Sequence, residues 1–513
     1  MRLGLALATL SLLASSSVRA AAPVRAQSQQ LVAPTRTAGD LFGASATIDG
    51  ERAAIGAPQR AVGAYPYAGE VFLLQRSAGT WAVTGSLAEL PTAVTSRDFG
   101  RALRMRDGLL AVGAPGQAQG RGAVYVYVDV PGTGWLLQAL LESPEGLAGG
   151  QLGGAVDCEG GLVFAGETIQ TLPPADAVTG KVHVFDQAQG WMRVQVLAPQ
   201  DAEGGDRFGM AVATAGELAV VGAPGKDGAR GAAYVFERAG GIWTQTAKLV
   251  IADLRGAGDF FGAAVAIEAE RVLVGAYGRD SFAGAAYVFE RADGKWSQVQ
   301  ALTAEVPEVS EVFGGRVALA DGRALVSGWG HEPVPDVGAR GGAYVYARGE
   351  DADFRLLAAL RADDGVPGDS LGIGAALSRD AALLGAPYDD APAQPMPNLA
   401  SALGSAYVFA LEQATGEPCA RDADCAASDR CCDAVCVSLP GCEAATTGEP
   451  VESDGSGSGS SGGSGLLSTG GDDSLPHAEI DPRSEGCACA TEERGIAGAW
   501  LGLWALAWRR RRR

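Results

Sequence analysis

One phrase recurs seven times along this 513-residue chain, so the fold it specifies must itself be repetitive. The phrase joins an aspartate or its substitute to Phe-Gly, as GDLFG (39–43), RDFG (97–100), GDRFG (205–209), GDFFG (258–262) and EVFGG (311–315), with weaker forms QLGG (151–154) and GDSLG (368–372). Its Phe or Leu stands at positions 42, 99, 152, 208, 261, 313 and 371, in steps of 52 to 58 residues. Shortly after each copy comes a second phrase, AIGAP, AVGAP, VFAGE, VVGAP, LVGAY, LVSGW and LLGAP in turn. A third follows, of which GAAYVFER and GGAYVYAR are typical, and six units close with an aromatic at Trp81, Trp135, Trp191, Trp243, Trp296 or Phe354.

Each phrase is a short run of β-branched, aromatic and apolar residues bounded by Gly, Pro or Asp, which is the pattern of short antiparallel strands. Four strands per unit match one blade of a β-propeller, and nearly 400 residues exceed what a single solid core supports. The expected fold is all-β, a seven-bladed propeller over residues 27–411. The seventh unit ends at YVFA (407–410) without a fourth strand, while QSQQLVAP (27–34) resembles VQVLAPQ (194–200). Residues 27–34 are therefore expected to supply the missing outer strand and close the ring, removing a free edge.

Composition agrees with a turn-rich β fold. Glycine makes up 74 residues, about twice the usual share, without the every-third spacing of collagen, and 47% of residues are apolar, far too many for a disordered chain. The formal charge of −20 argues against nucleic acid as a partner, because a phosphate backbone would be repelled.

The Phe-Gly and Gly-Ala-Pro phrases resemble FG-GAP repeats, the units of integrin α-subunit propellers and of many bacterial surface proteins. GDRFGMAVA, VVGAP, GAAYVFER and WTQTAKL look like the short bacterial variant. The resemblance implies a propeller used for binding and adhesion. Integrin-type blades often carry a calcium loop between their first two strands, but here that interval is MAVATAGELAVV in unit four, with Glu217 as its one carboxylate. Calcium needs six to eight oxygens, so no calcium site, other metal or cofactor is expected. The aspartates Asp40, Asp98, Asp206, Asp259 and Asp369 fit turn residues that bond their own backbone.

No catalytic residue stands out and an enzyme is not expected: the three histidines His183, His331 and His477 form no metal or triad pattern, and neither a nucleophile elbow nor a P-loop is present. His183 takes the strand position that Tyr234 holds in unit four. Ligand contact is expected instead on the loops between the second and third strands, which are long in units six, seven and one: 329–341, 387–404 and 58–69. Ring closure makes these neighbours and brings Tyr65, Tyr67, Trp329, His331 and Tyr388 to one rim, as flat contact surface for a surface protein or glycan. The alternatives are tolerated loop insertion, a structural envelope component without a specific ligand, and a secreted hydrolase or lyase with an unrecognised site.

The ends read as addresses. Residues 1–20 have the basic start, apolar run and small-x-small finish of a signal peptide. Residues 487–513 place Cys487 and Cys489 before a short apolar stretch and five arginines, an order that resembles the C-terminal sorting signals of myxobacterial surface proteins. That resemblance implies a sorting protease as partner, membrane contact only through the terminal signals, and display at the cell surface or outer envelope, or release. The competing reading is an uncleaved tail anchor. Six cysteines, Cys419, Cys425, Cys431, Cys432, Cys436 and Cys442, form an expected disulfide module over 418–442, with fifteen pairings open and a vicinal bond disfavoured by geometry. Their spacing is similar to the C-terminal half of whey acidic protein domains, with the first two cysteines of that family missing, so a clamp or spacer is expected. Residues 443–486 read as a flexible Gly/Ser-rich acidic linker.

Overall fold

The computed structural model describes residues 24–88, 97–146, 148–168, 179–251, 257–304, 311–330, 341–349, 352–366, 368–389 and 402–411, plus the backbone of short strands at 333–334, 337–338, 414–418, 429–432 and 435–438. The proposed signal peptide, linker and sorting signal, with Cys487 and Cys489, lie outside these residues, as do His331, Cys419, Cys425 and Cys442. No helix among the described residues is long and apolar enough to cross a membrane.

Seven sheets make a seven-bladed propeller, each sheet ordered outward from the axis. Blade four shows the plan: an inner strand Ala211–Ala215, then Leu218–Ala223, Ala232–Ala239 and an outer strand Ile242–Leu249, all antiparallel. Alternation explains these strands, because Leu218–Ala223 is buried on both faces while the outer strand alternates exposed with buried residues. In blades one to six the outer hairpin carries a register shift, for instance between Val235 and Phe236, which bends the outer strand away from the blade plane.

Blade seven takes its three inner strands from Gly374–Leu377, Ala381–Ala386 and Ser405–Ala410, and Gln29–Leu31 pairs antiparallel to the last of these, with Gln29 opposite Val408. One segment earlier, Val24–Arg25 runs parallel to the blade-six strand Phe354–Leu360 and makes that sheet five-stranded. Outside the ring, Asp429–Cys432 and Val435–Ser438 form a hairpin that places Cys431 opposite Cys436.

The core is divided among seven layers, each lying between two adjacent blades, including the layer between blades seven and one, to which Leu31 and Ala33 contribute. The repeat phrases occupy these layers. Phe42, Phe99, Phe208, Phe261 and Phe313 are fully buried, and removing each ring from water stabilises the fold by about 2–3 kcal/mol. The glycine of the second phrase sets the spacing: a Cβ on Gly222 would collide with the Gly262 carbonyl of the next blade, and one on Gly385 with the Gly43 carbonyl across the junction of blades seven and one. Blade six departs from the pattern, with Ser327 where the other six blades have glycine.

Candidate functional site: the loop face and the channel mouth

Every inner strand starts at its Phe-Gly turn and every second strand ends at its Gly-Ala-Pro-like phrase, so these turns share one face with the loops joining second to third strands. The residue before the Phe or Leu is left-handed in all seven blades, Leu41, Asp98, Gln151, Arg207, Phe260, Val312 and Ser370, with φ between 51° and 59°. None is glycine, so each costs about 1 kcal/mol or more, which the buried Phe or Leu beside it offsets.

This register corrects the expectation for Asp98. Asp98 fills the left-handed position, and its neighbour Arg97 takes the place of Asp40, Asp206, Asp259 and Asp369. Asp206 and Asp369 bond backbone three residues upstream, at 2.8 Å from Glu203 N and 2.6 Å from Val366 N. Three of these aspartates also hold a cation exactly one loop later. Asp40 pairs with Arg60, Asp206 with the buried Lys226 at 3.2 Å, and Asp259 with Arg279 at 3.1 Å. In blade two Arg97 donates instead to the Tyr125 hydroxyl at 3.0 Å, which donates to Gln117 at 2.6 Å. These groups pin the loops to the blades and are occupied by one another.

The pinned loops of blades two, four and five are short left-handed turns. Ala118 to Gly120, Asp227 to Ala229 and Asp280 to Phe282 all have positive φ, and the buried Gln117, Lys226 and Arg279 anchor their first residues. In blade five the turn has a consequence at the surface. It lifts Phe282, 44% exposed, onto the rings of Tyr277 and Phe260, at centroid distances of 6.2 and 6.5 Å, while Phe260 and Tyr277 stack at 5.0 Å and 7°. Burial pushes the Tyr277 hydroxyl pKa up, and Arg207 of blade four opposes the shift.

The described aromatics expected on the rim stand on blades one, six and seven. Tyr65 and Tyr67 lie on the blade-one loop, Tyr67 52% exposed and left-handed at φ 54°, with its carbonyl accepting from Arg97 N at 3.0 Å. Tyr388 is half-buried on blade seven. Trp329 folds inward over Gly315, and the Arg316 guanidinium stands 5.4 Å from its ring centre. No ring contact joins Tyr65, Tyr67 and Trp329 among the described residues, whereas Phe260, Tyr277 and Phe282 do form a cluster. The doubled Phe in GDFFG and the aromatic ends of YGRDSFAG carry that cluster, and the shortness of the loop hides it.

The axis is an open channel with about 650 Å³ of free space, lined by the inner strands of all seven blades. Its mouth on the loop face carries Ala44, Arg101, Gly154, Met210, Ala263 and Ile373, with Arg316 one residue farther along its strand. Deeper in the channel Arg104 pairs with Asp157 at 2.8 Å, and Asp157 also accepts from Thr214 N at 2.6 Å. Among the described residues no group of three or more His, Cys, Asp or Glu gathers to hold a metal. His183 and Glu167, 2.6 Å apart, are both fully buried on blade three. Burial opposes ionisation of Glu167, but His183 and Lys181 hold its carboxyl below the usual range. Cys158 is buried and unbridged, and burial pushes its thiol up to about 12.

Comparison with known proteins places three parts of the chain. A family model described as the FG-GAP repeat matches residues 191–236, 243–289 and 354–409. Each match begins at or beside the outer strand of one blade and ends on the third strand of the next. The chain is also similar to the solved structure of the Pseudomonas aeruginosa periplasmic gluconolactonase PpgL, at 16% identity and TM-score 0.40, over 64% of this chain and 86% of that one. No curated protein sequence matches the chain.

Proposed function

We propose that this FG-GAP-repeat propeller is an exported, surface-tethered binding module whose loop face holds a protein or glycan of the cell envelope. The observation that carries this reading is the Phe260, Tyr277 and Phe282 cluster, flat rings presented to solvent by a loop that is strained in φ and pinned by Arg279. Aromatic rings with few rotatable bonds give contact area at small entropic cost. The rest of the reading follows the sequence: residues 27–34 close the ring, the six cysteines clamp its exit, the acidic linker is a stalk, and the terminal signals export and tether the chain. Neither metal nor cofactor is required. A structural envelope component without a ligand is the competing role.

The test is capture of envelope fractions and glycan-array binding by the full secreted chain. Tyr277→Ala with Phe282→Ala is expected to lower binding about tenfold or more at an unchanged melting temperature. Binding that survives both replacements moves the contact surface elsewhere, and absence of any saturable binding favours the structural role.

A further inference from the structure

The geometry points to an oxyanion site at the loop-face mouth of the axial channel, where Arg101 and Arg316 receive the carboxylate of an acidic saccharide. Arg101 stands on blade two and Arg316 on blade six, three steps apart on a ring of seven, so they face each other from opposite walls. Both are exposed to the channel. The Arg101 side chain has no hydrogen-bond or carboxylate partner among the described residues, and Arg316 has only the Gly315 carbonyl at 3.1 Å and the Trp329 ring. Protein walls around Arg316 and the charge of Arg101 push its guanidinium down to about 10, which leaves Arg316 cationic at neutral pH.

The remaining charges make the mouth unlike the rest of the channel. The lining carboxylates Asp49, Asp157, Glu268, Asp321 and Asp380 all stand farther along their strands, and Asp157 and Asp380 are already held by Arg104 and Arg76. Two uncompensated cations therefore face one another in a chain of formal charge −20. Low-dielectric walls focus such a field on the opening, and guanidinium forks match the two oxygens of a carboxylate. The free volume falls within the range of small-ligand pockets, roughly 300–1,000 Å³. Ala44, Gly154 and Ala263 offer no sockets for peptide side chains, and the half-buried Trp329 ring backs the Arg316 guanidinium from outside the lining.

Calorimetric titration of the full secreted chain tests this with an oligogalacturonate, a neutral malto-oligosaccharide of equal length, sodium sulfate and an oligoglutamate peptide. The uronate is expected to bind one to one, more weakly as salt rises, and at least about tenfold tighter than the other three probes. Arg101→Gln and Arg316→Gln should each weaken it about tenfold or more, while the unliganded melting temperature stays level or rises because a like-charge repulsion is gone. No uronate binding, equal binding in the Arg101→Gln, Arg316→Gln double variant, or melting lowered by more than about 5 °C in both single variants overturns the site. Sulfate or oligoglutamate bound as tightly as the uronate overturns the saccharide assignment. Tyr277→Ala, Phe282→Ala protein should keep its uronate affinity, so failure of the surface-binding reading and failure of this site are read separately.

Discussion

Ser327 shows how much of each blade junction depends on a single atom. In blades one to five and seven the equivalent position is glycine, whose bare Cα lets the next blade's Phe-Gly turn press against it. Ser327 is fully buried, and its hydroxyl has no hydrogen-bond partner. A desolvated hydroxyl left unpaired costs about 1 kcal/mol or more, so Ser327→Ala, which keeps the Cβ already accommodated, is expected to raise stability by about 1 kcal/mol. Urea unfolding checks it, and a loss of stability would mean that the hydroxyl has a partner in solution. The same scale separates two kinds of aspartate. Asp206 and Asp259 face a lysine or arginine twenty residues on, and this pairing could have been read from the sequence, whereas the left-handed turn that shifts Asp98 out of register could not.

Among the elements, the outer strands are joined by a side chain. Gln195 and Gln300 each make two bonds to the backbone of the next outer strand, at Trp243 (2.6 and 2.9 Å) and Phe354 (2.7 and 2.8 Å). Gln29 does the same to Trp81, at 2.6 and 2.9 Å, from the strand paired with Ser405–Ala410. If that strand closes the ring, Gln29→Ala and Gln195→Ala should cost equal amounts, about 2 kcal/mol for two bonds, and deletion of residues 27–34 should lower the melting temperature by several degrees. An unchanged melt on deletion would sink the closure. The FG-GAP matches run from outer strand to third strand, so the sequence unit is offset from the blade by one strand, and a chain that starts on the unit boundary begins with an outer strand.

For the whole molecule, acid should be destabilising, because more carboxyls are held down by folding than pushed up. The bond from Arg193 lowers Glu145 to about 2, and Glu167, Asp201 and Asp380 are lowered against the opposing effect of burial, whereas burial raises Asp40 and Asp389. Lowered groups contribute stability that is complete above their unfolded values and lost as pH falls through the folded ones, and the two raised groups act in the opposite sense. The melting temperature is therefore expected to fall between about pH 5 and about pH 3; a flat profile over that window would contradict the assignment. The sequence by itself determined the seven units, their strand content and the glycines at their junctions, because each of these is a local pattern repeated at a nearly constant interval. The candidate rim of Tyr65, Tyr67, Trp329 and Tyr388 was legible only as a set of loops, for ring order fixes which loops are neighbours but not where their side chains turn. Only the tertiary structure decided that Trp329 folds over Gly315, that Phe282 stacks on Tyr277, and that Arg101 and Arg316 line one channel. The reason is physical: those contacts join residues tens to hundreds of positions apart, and they exist only once seven similar sheets have closed on a common channel.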